Sequence, residues 1–261
     1  MASLLRRARD RLELRRGALH ERRLQDDHLR GIGRSELDRW FVERHGPAVL
    51  HGPFAGLRYP ERARAHVHHL TAKLLGAYEE ELADLVAAQV ARRPPLFVDV
   101  GAADGYYAVG FARASAATEV HAYEIDPVAR RTLRALARAN GARVRRHGPA
   151  NARRLAAHAL DGAFVLADCE GAELDVLDGP AVPALARATL LVELHPHGGG
   201  DTGGPLRERF EPSHAAREIA ARRRDPGAYR ELDGAPAELR DHAVDEVRPT
   251  PTSWLLLEPR G

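Results

Sequence analysis

The sequence has little of what marks a secreted or membrane-bound protein. Only one of its 261 residues, Cys169, is a cysteine, which excludes an intramolecular disulfide framework and a zinc site built from cysteines. No apolar run approaches the roughly 18 residues that a membrane-spanning helix needs. The arginines near the start are not followed by the hydrophobic segment of a signal peptide. We therefore expect a cytoplasmic protein that does not enter a membrane.

Charge is plentiful but evenly mixed. The chain has 39 Lys and Arg against 37 Asp and Glu, for a net charge of +2. The positive residues, almost all of them arginine, are interspersed with acids. They form no dense basic strip of the kind that binds nucleic acid, so we expect no nucleic-acid partner. The length suits one large α/β domain with an extension.

Residues 95–112 predict a strand, a glycine-rich turn and the start of a helix. Residues 96–100 are a short apolar, β-branched run, typical of a strand buried on both faces. The turn between Gly101 and Gly105 is made mostly of residues with small side chains or none. Such a turn lets a ligand approach the backbone and the N–H groups at the helix N-terminus.

The pattern of this turn narrows the class of ligand. The dinucleotide fingerprint requires glycine at its third and sixth positions, which here are Ala103 and Tyr106. The spacing Asp99-x-Gly101-x-x-x-Gly105 instead resembles the first motif of the Rossmann-like S-adenosylmethionine (SAM) methyltransferases.

Strands and helices alternate from residue 96 onward, which implies a parallel sheet with right-handed crossovers. The pattern then predicts a helix over residues 213–224. The methyltransferase resemblance implies a mostly parallel, seven-stranded sheet flanked by helices, closed by an antiparallel edge hairpin of residues 229–232 and 252–257. The five strands predicted before that hairpin are residues 96–100, 119–124, 143–147, 163–167 and 188–194.

The N-terminal part predicts a helical extension. Three leucines spaced seven apart within residues 1–30 fall on one helical stripe. A coiled-coil seam that joins two copies of the chain, a lid, and an exposed salt-bridged helix all stay open. Residues 46–59 predict a small hairpin around a Gly-Pro turn, and residues 67–91 a helix with one buried face. We divide the chain into an extension, residues 1–66, and a methyltransferase domain, residues 67–261.

Two acids accompany the glycine-rich turn. Glu124 ends the second strand, 19 residues after Gly105, where a carboxylate can accept both ribose hydroxyls of a nucleoside. This spacing fits SAM and NAD alike. Asp99 lies late in the first strand, where its carboxylate can pair with the ammonium of the cofactor or orient the turn through backbone N–H groups.

A second acidic stretch follows the fourth strand, at the carboxyl edge where open α/β sheets bind ligands. The stretch reads Asp168-x-Glu170-Gly171-Ala172-Glu173, and it is followed by Leu177-x-Gly179 and Val192-Glu193-Leu194-His195. This pattern is similar to the FkbM family of SAM-dependent methyltransferases, over about residues 95–197. Cys169 stands where that family has an aliphatic residue. The resemblance implies O-methylation of a small hydroxylated molecule, such as a sugar or a secondary metabolite.

The resemblance implies that the glycine-rich turn and Glu124 contact SAM, and that Asp168 and Glu170 face the shared pocket. Asn151, after the third strand, is expected near the adenine. A hydroxyl acceptor needs a proton sink, and the catalytic candidates are Asp168, Glu170 and His195, without a choice among them. The residues expected at the cofactor are Asp99, Gly101, Ala102, Ala103, Gly105, Tyr106, Glu124, Ile125, Asn151 and Asp168.

Three alternatives stay open. Asp168, Glu170, Glu193, His195 and His197 offer oxygen and nitrogen ligands for Mg²⁺, although we assign no metal ligand. A nicotinamide-dependent oxidoreductase uses a similar sheet, and the missing glycines count against it. A non-catalytic nucleoside-binding module that recruits a partner through its N-terminal helix is the third.

Overall fold

The computed structural model describes residues 34–195, 201–245 and 253–260. Seven strands form one sheet in the order β3-β2-β1-β4-β5-β7-β6. The first five run parallel, and β7 lies antiparallel between β5 and β6. The strands are β1 Leu96–Val100, β2 Glu119–Tyr123, β3 Arg145–His147, β4 Phe164–Ala167, β5 Thr189–Glu193, β6 His214–Ala220 and β7 Ser253–Pro259.

This sheet confirms the predicted fold class, a mostly parallel seven-stranded sheet with an antiparallel edge pair. The strands β1, β4 and β5 are buried at every position, as expected for apolar runs covered on both faces. The helices are α1 Arg34–His45, α2 Glu61–Arg64, α3 Leu70–Leu75, α4 Ala83–Arg92, α5 Tyr106–Ala114, α6 Pro127–Ala139, α7 Ala152–Leu155, α8 Glu173–Val176, α9 Gly203–Phe210 and α10 Ala237–Arg240.

The prediction is wrong for the edge of the sheet. Residues 213–224 were expected to be helical, but His214–Ala220 is strand β6 and pairs along its whole length with β7. Residues 229–232 were expected to be the strand partner, but Arg230–Leu232 is a 3₁₀ turn. The alanine, arginine and glutamate of β6 favour a helix in isolation, and pairing with β7 overrides that preference.

The helix expected over residues 67–91 is also wrong, because it is interrupted. Helix α3 ends at Leu75, and Gly76 follows in the left-handed region with φ +83°. A Cβ at Gly76 would overlap the carbonyl group of His51, so glycine is required there by both conformation and space. A second left-handed residue, Glu79, precedes the 3₁₀ turn Glu80–Leu82 and α4.

The segment before the sheet packs into the same core as the sheet. The hairpin expected over residues 46–59 is reduced to one antiparallel bridge between Ala48 and Arg58. Phe54 lies against helix α5, where a Cβ at Gly110 would overlap its ring. One apolar cluster includes Leu37 and Phe54 together with Phe97 of β1. Residues on both sides of position 66 therefore share one core.

The predicted N-terminal helix, and the contact between two copies expected through it, fall on residues 1–30, outside the described residues. In the part of the chain that is described, no helix combines the length and the apolar character needed to cross a bilayer.

Candidate functional site

The site lies where β1, β2 and β4 end side by side. Val100 of β1 is in register with Tyr123 of β2 and with Ala167 of β4. The N–H of Gly101 donates to the carbonyl oxygen of Tyr123 at 2.9 Å, and the N–H of Asp168 donates to that of Val100 at 2.9 Å. The residues that follow the three strands therefore leave the sheet at one edge, as parallel pairing requires.

Two of these turns touch through their backbones. Gly101 has φ +89°, and a Cβ there would overlap the carbonyl oxygen of Asp168. Gly105 has φ +92°, and a Cβ there would lie 2.7 Å from Cγ of Leu133. Glycine is thus required at both ends of the first turn, once by the turn after β4 and once by helix α6.

Glu124 joins the glycine-rich turn to the end of β2. Its side chain is buried, with 2 % exposed. Oε2 accepts the N–H of Ala103 at 2.7 Å, and Oε1 accepts the N–H of Asp126 at 2.6 Å. Glu124 therefore orients the turn, a role that the sequence offered to Asp99. That Glu124 also accepts ribose hydroxyls stays a prediction.

Asp99 is a buried carboxyl group whose surroundings disfavour its charged form. Burial raises the pKa of its carboxyl well above the ordinary value, and the negative charge of Asp168 raises it further, against a backbone hydrogen bond from Ala108 that lowers it. Among the described residues, its buried Oδ2 has no hydrogen-bond partner. Pairing of Asp99 with an ammonium group therefore stays a prediction.

The other residues expected at the cofactor have diverse surroundings. Ala102 donates its N–H to Tyr123 O at 3.0 Å, and the carbonyl oxygen of Ile125 accepts from Arg130 at 2.8 Å. Asn151 caps α7, because its Oδ1 accepts the N–H of Arg154 at 3.0 Å.

Tyr106 is buried with its ring edge-on to Phe54 and Tyr78. Its side chain is thus part of the core.

Glu173 organises the turn after β4. It is fully buried, and its Oε1 accepts the N–H groups of Cys169 at 3.1 Å and Gly171 at 3.2 Å. The same oxygen accepts from Nδ1 of His195 at 3.0 Å. The sequence had Glu173 only as part of a motif. The signal in the sequence was its place two residues after Gly171. In the structure Glu170 and Gly171 are both left-handed, with φ +55° and +92°.

His195 follows β5 and brings four acids together. Its Nε2 lies 3.8 Å from Oδ1 of Asp168, 3.5 Å from Oε2 of Glu170 and 3.4 Å from Oε2 of Glu193. Burial lowers the pKa of the imidazole, but the hydrogen bond to Glu173 and the charges of Asp168, Glu173 and Glu170 outweigh it and raise the pKa to about 9. His195 is therefore protonated at neutral pH and forms the positive centre of an acidic cluster.

The same cluster contains a candidate metal centre. Asp168, Glu193 and His195 each offer one ligand atom, and these atoms lie within 4.8 Å of one another. Two carboxylates and an imidazole suit Mn²⁺, Fe²⁺ or Zn²⁺ better than Mg²⁺, which prefers oxygen ligands. Glu170 lies beside the group, whereas His197, the fifth residue that could offer a ligand, lies outside the described residues.

Comparison with known proteins gives neither a matching family model nor a matching curated protein. Similar solved structures include the O-methyltransferase TomG from Streptomyces achromogenes in complex with SAM, at 12 % identity and a TM-score of 0.49 over 87 % of this chain and 96 % of that one. Another is the magnesium protoporphyrin IX methyltransferase from Synechocystis with bound SAH, at 15 % identity and a TM-score of 0.42 over 71 % and 84 %. At such values the activity of this chain has to be argued from its own residues.

Proposed function

We propose that the chain is a SAM-dependent methyltransferase that acts on an oxygen of a small polar molecule. The observation that carries the proposal is the bond between the carboxylate of Glu124 and the N–H of Ala103. It joins a glycine-rich turn to an acid at the end of the neighbouring strand, which is the arrangement that binds a nucleoside at a sheet edge. The motif from Asp168 to Glu173 supports a place in the FkbM-like group. The sugar or secondary-metabolite acceptor, the pairing of two copies and a cytoplasmic location stay predictions.

The chain has two tasks in this reaction. When bound, SAM supplies an electrophilic methyl group, so the chain has to align the acceptor oxygen with it and accept the hydroxyl proton. Asp168 and Glu170 are the base candidates because their side chains are 27 % and 34 % exposed. We favour Asp168, because its backbone lies against Gly101 of the proposed cofactor turn. His195, held by Glu173, faces these carboxylates with its Nε2 and orients them.

A divalent-cation site is a second function of the same cluster, favoured by the convergence of Asp168, Glu193 and His195. A cation there would replace the imidazole proton and lower the pKa of a bound hydroxyl. Titration of chelator-treated protein with Mn²⁺ in a calorimeter tests it. A metal centre is supported if Mn²⁺ binds to the wild type and does not bind to Glu193→Gln. If Mn²⁺ does not bind to the wild type, the cluster holds only the protonated imidazole.

Calorimetric titration with S-adenosylhomocysteine (SAH) and with NADH tests the cofactor. We expect SAH to bind and Glu124→Ala to abolish the binding. Glu119→Ala, an exposed acid at the other end of β2, is the matched control and should bind as the wild type does. Binding of NADH alone would contradict the proposal and favour an oxidoreductase.

Turnover separates an enzyme from a binding module. Incubation with SAM and a panel of hydroxylated acceptors, followed by detection of SAH, should give product that depends on Asp168. Bound SAM without turnover across the panel would favour the module.

A further inference from the structure

Lys73 is the single lysine among the 39 basic Lys and Arg residues of the chain. Its side chain is buried, with 4 % exposed, although a charged side chain rarely occupies the interior unless it is paired. All the other Lys and Arg positions of the chain hold arginine, whereas this buried position holds a lysine. The difference indicates a requirement for a compact ammonium group.

The ammonium group of Lys73 lies against the fourth residue of the glycine-rich turn. Nζ is 2.5 Å from Oδ1 of Asp104, and the hydroxyl of Tyr59 donates to Oδ2 of the same carboxylate at 2.9 Å. Nζ also lies 4.7 Å from the ring centre of Tyr78 and 5.8 Å from that of Tyr106. The charge is thus enclosed by one carboxylate and two aromatic rings, a space that suits an ammonium better than a planar guanidinium.

Most of these contacts connect the segment that precedes the sheet to the turn. Tyr59, Lys73 and Tyr78 lie before β1, whereas Asp104 and Tyr106 belong to the turn and to the start of α5. On the inner side of the turn, Ala103 is held by Glu124. Two consecutive residues of the turn are therefore held by side chains from different parts of the chain. Glu124, which follows the turn, holds Ala103, and Lys73, which precedes it, holds Asp104.

We propose that Lys73 is a positioning residue for the cofactor, which holds Asp104 and thereby keeps the glycine-rich turn in the conformation that receives the nucleoside. The inference rests on the proposed function, because it takes the turn to be the cofactor site. A buried ion pair by itself is weak evidence of stabilisation, so the position of this pair on the turn points to a role in binding.

The single lysine permits a direct test on the wild-type chain. In protein labelled with ¹⁵N at lysine Nζ, only Lys73 gives a side-chain ammonium signal. We expect saturating SAH to shift this signal by more than its line width, because the turn that holds Asp104 contacts the ligand. A signal that stays in place while calorimetry shows SAH bound would overturn the inference and leave the proposed function intact. Absence of SAH binding would instead refute the proposed function.

Variants supply a second test. Lys73→Met should weaken SAH binding by at least about tenfold, as expected when a support of a binding residue is lost, and Asp104→Asn should act in the same direction. Arg224→Met is the matched control, because it breaks an equally buried pair, Arg224 Nη2 to Glu81 Oε2 at 2.6 Å, in which neither partner belongs to the turn.

The affinities are compared under conditions in which each variant shows the near-ultraviolet circular dichroism of a folded chain. Wild-type affinity in folded Lys73→Met, or equal losses in Lys73→Met and Arg224→Met, would overturn the positioning role. The signal test on the unaltered chain decides the question if Lys73→Met does not fold.

Discussion

Two turns at the same edge of the sheet share their backbone support and differ in how their charges are compensated. Each contains glycine and one left-handed residue of another type, Ala103 at φ +45° and Glu170 at φ +55°. Each is also held by a buried carboxylate that accepts backbone N–H groups, Glu124 in the first turn and Glu173 in the second. Similar backbone devices thus shape both turns.

The turns differ in how their charges are compensated. In the first turn, the negative charge of Asp104 is balanced by the positive charge of Lys73. This pair therefore adds no net charge to the turn. In the second, four acidic side chains surround one imidazole, which leaves an excess of acidic groups over basic ones in this cluster. Such an excess costs stability and is useful where a proton or a cation has to be received. This contrast supports the proposal that the first turn binds the cofactor and that the second carries the chemistry.

The largest expected effect tests the contact between the turns. Gly101→Ala places a Cβ on the carbonyl oxygen of Asp168, so we expect a loss of about 4 kcal/mol or more in the free energy of unfolding, measured by urea denaturation. Gly141→Ala is the control: its φ is +61° and no atom of the described residues would lie within 4 Å of the new Cβ, and left-handed strain alone costs about 1–2 kcal/mol. Equal losses in the two variants would refute the contact.

The second effect tests the charge of the His195 cluster in chelator-treated protein. The folded-state pKa of about 9 lies above the unfolded value, so the contribution of His195 is complete below about pH 6.5 and is lost as the pH rises through about 9. We expect the free energy of unfolding to fall by about 3 kcal/mol over that range.

Glu173→Gln should flatten this dependence, whereas Asp175→Asn, at an exposed position of the same short helix, should leave it unchanged. An identical pH dependence in wild type and Glu173→Gln would show that Glu173 does not hold the imidazole proton.

The smallest effect tests the first turn. Tyr59→Phe removes one hydrogen bond to Asp104 and leaves the Lys73 pair in place, so we expect a loss of about 1 kcal/mol in the free energy of unfolding. Tyr229→Phe removes an exposed bond to Glu80 and should cost less than about 0.5 kcal/mol. A larger loss for Tyr229→Phe would contradict the assignment of Tyr59 to the support of the turn.

The features of the fold and the site that could be predicted from the sequence are those that neighbouring residues indicate. The apolar run of β1, the glycines of its turn and an acid at the end of β2 each follow from neighbouring residues and their spacing. Strand β6 could not be predicted in this way, because its helix-favouring residues are held extended by β7. The pairing of Lys73 with Asp104 spans 31 positions and that of Glu173 with His195 spans 22. Contacts at such separations depend on the fold and leave no periodic pattern in the sequence.

Hydrogen–deuterium exchange with and without SAH tests the central claim most directly, because it reports where the ligand lies along the chain. The account predicts slower exchange on SAH binding in residues 101–105, 123–126 and 168–171, the segments that meet at the edge. Protection confined to other segments, or unchanged exchange at all three despite bound SAH, would contradict it.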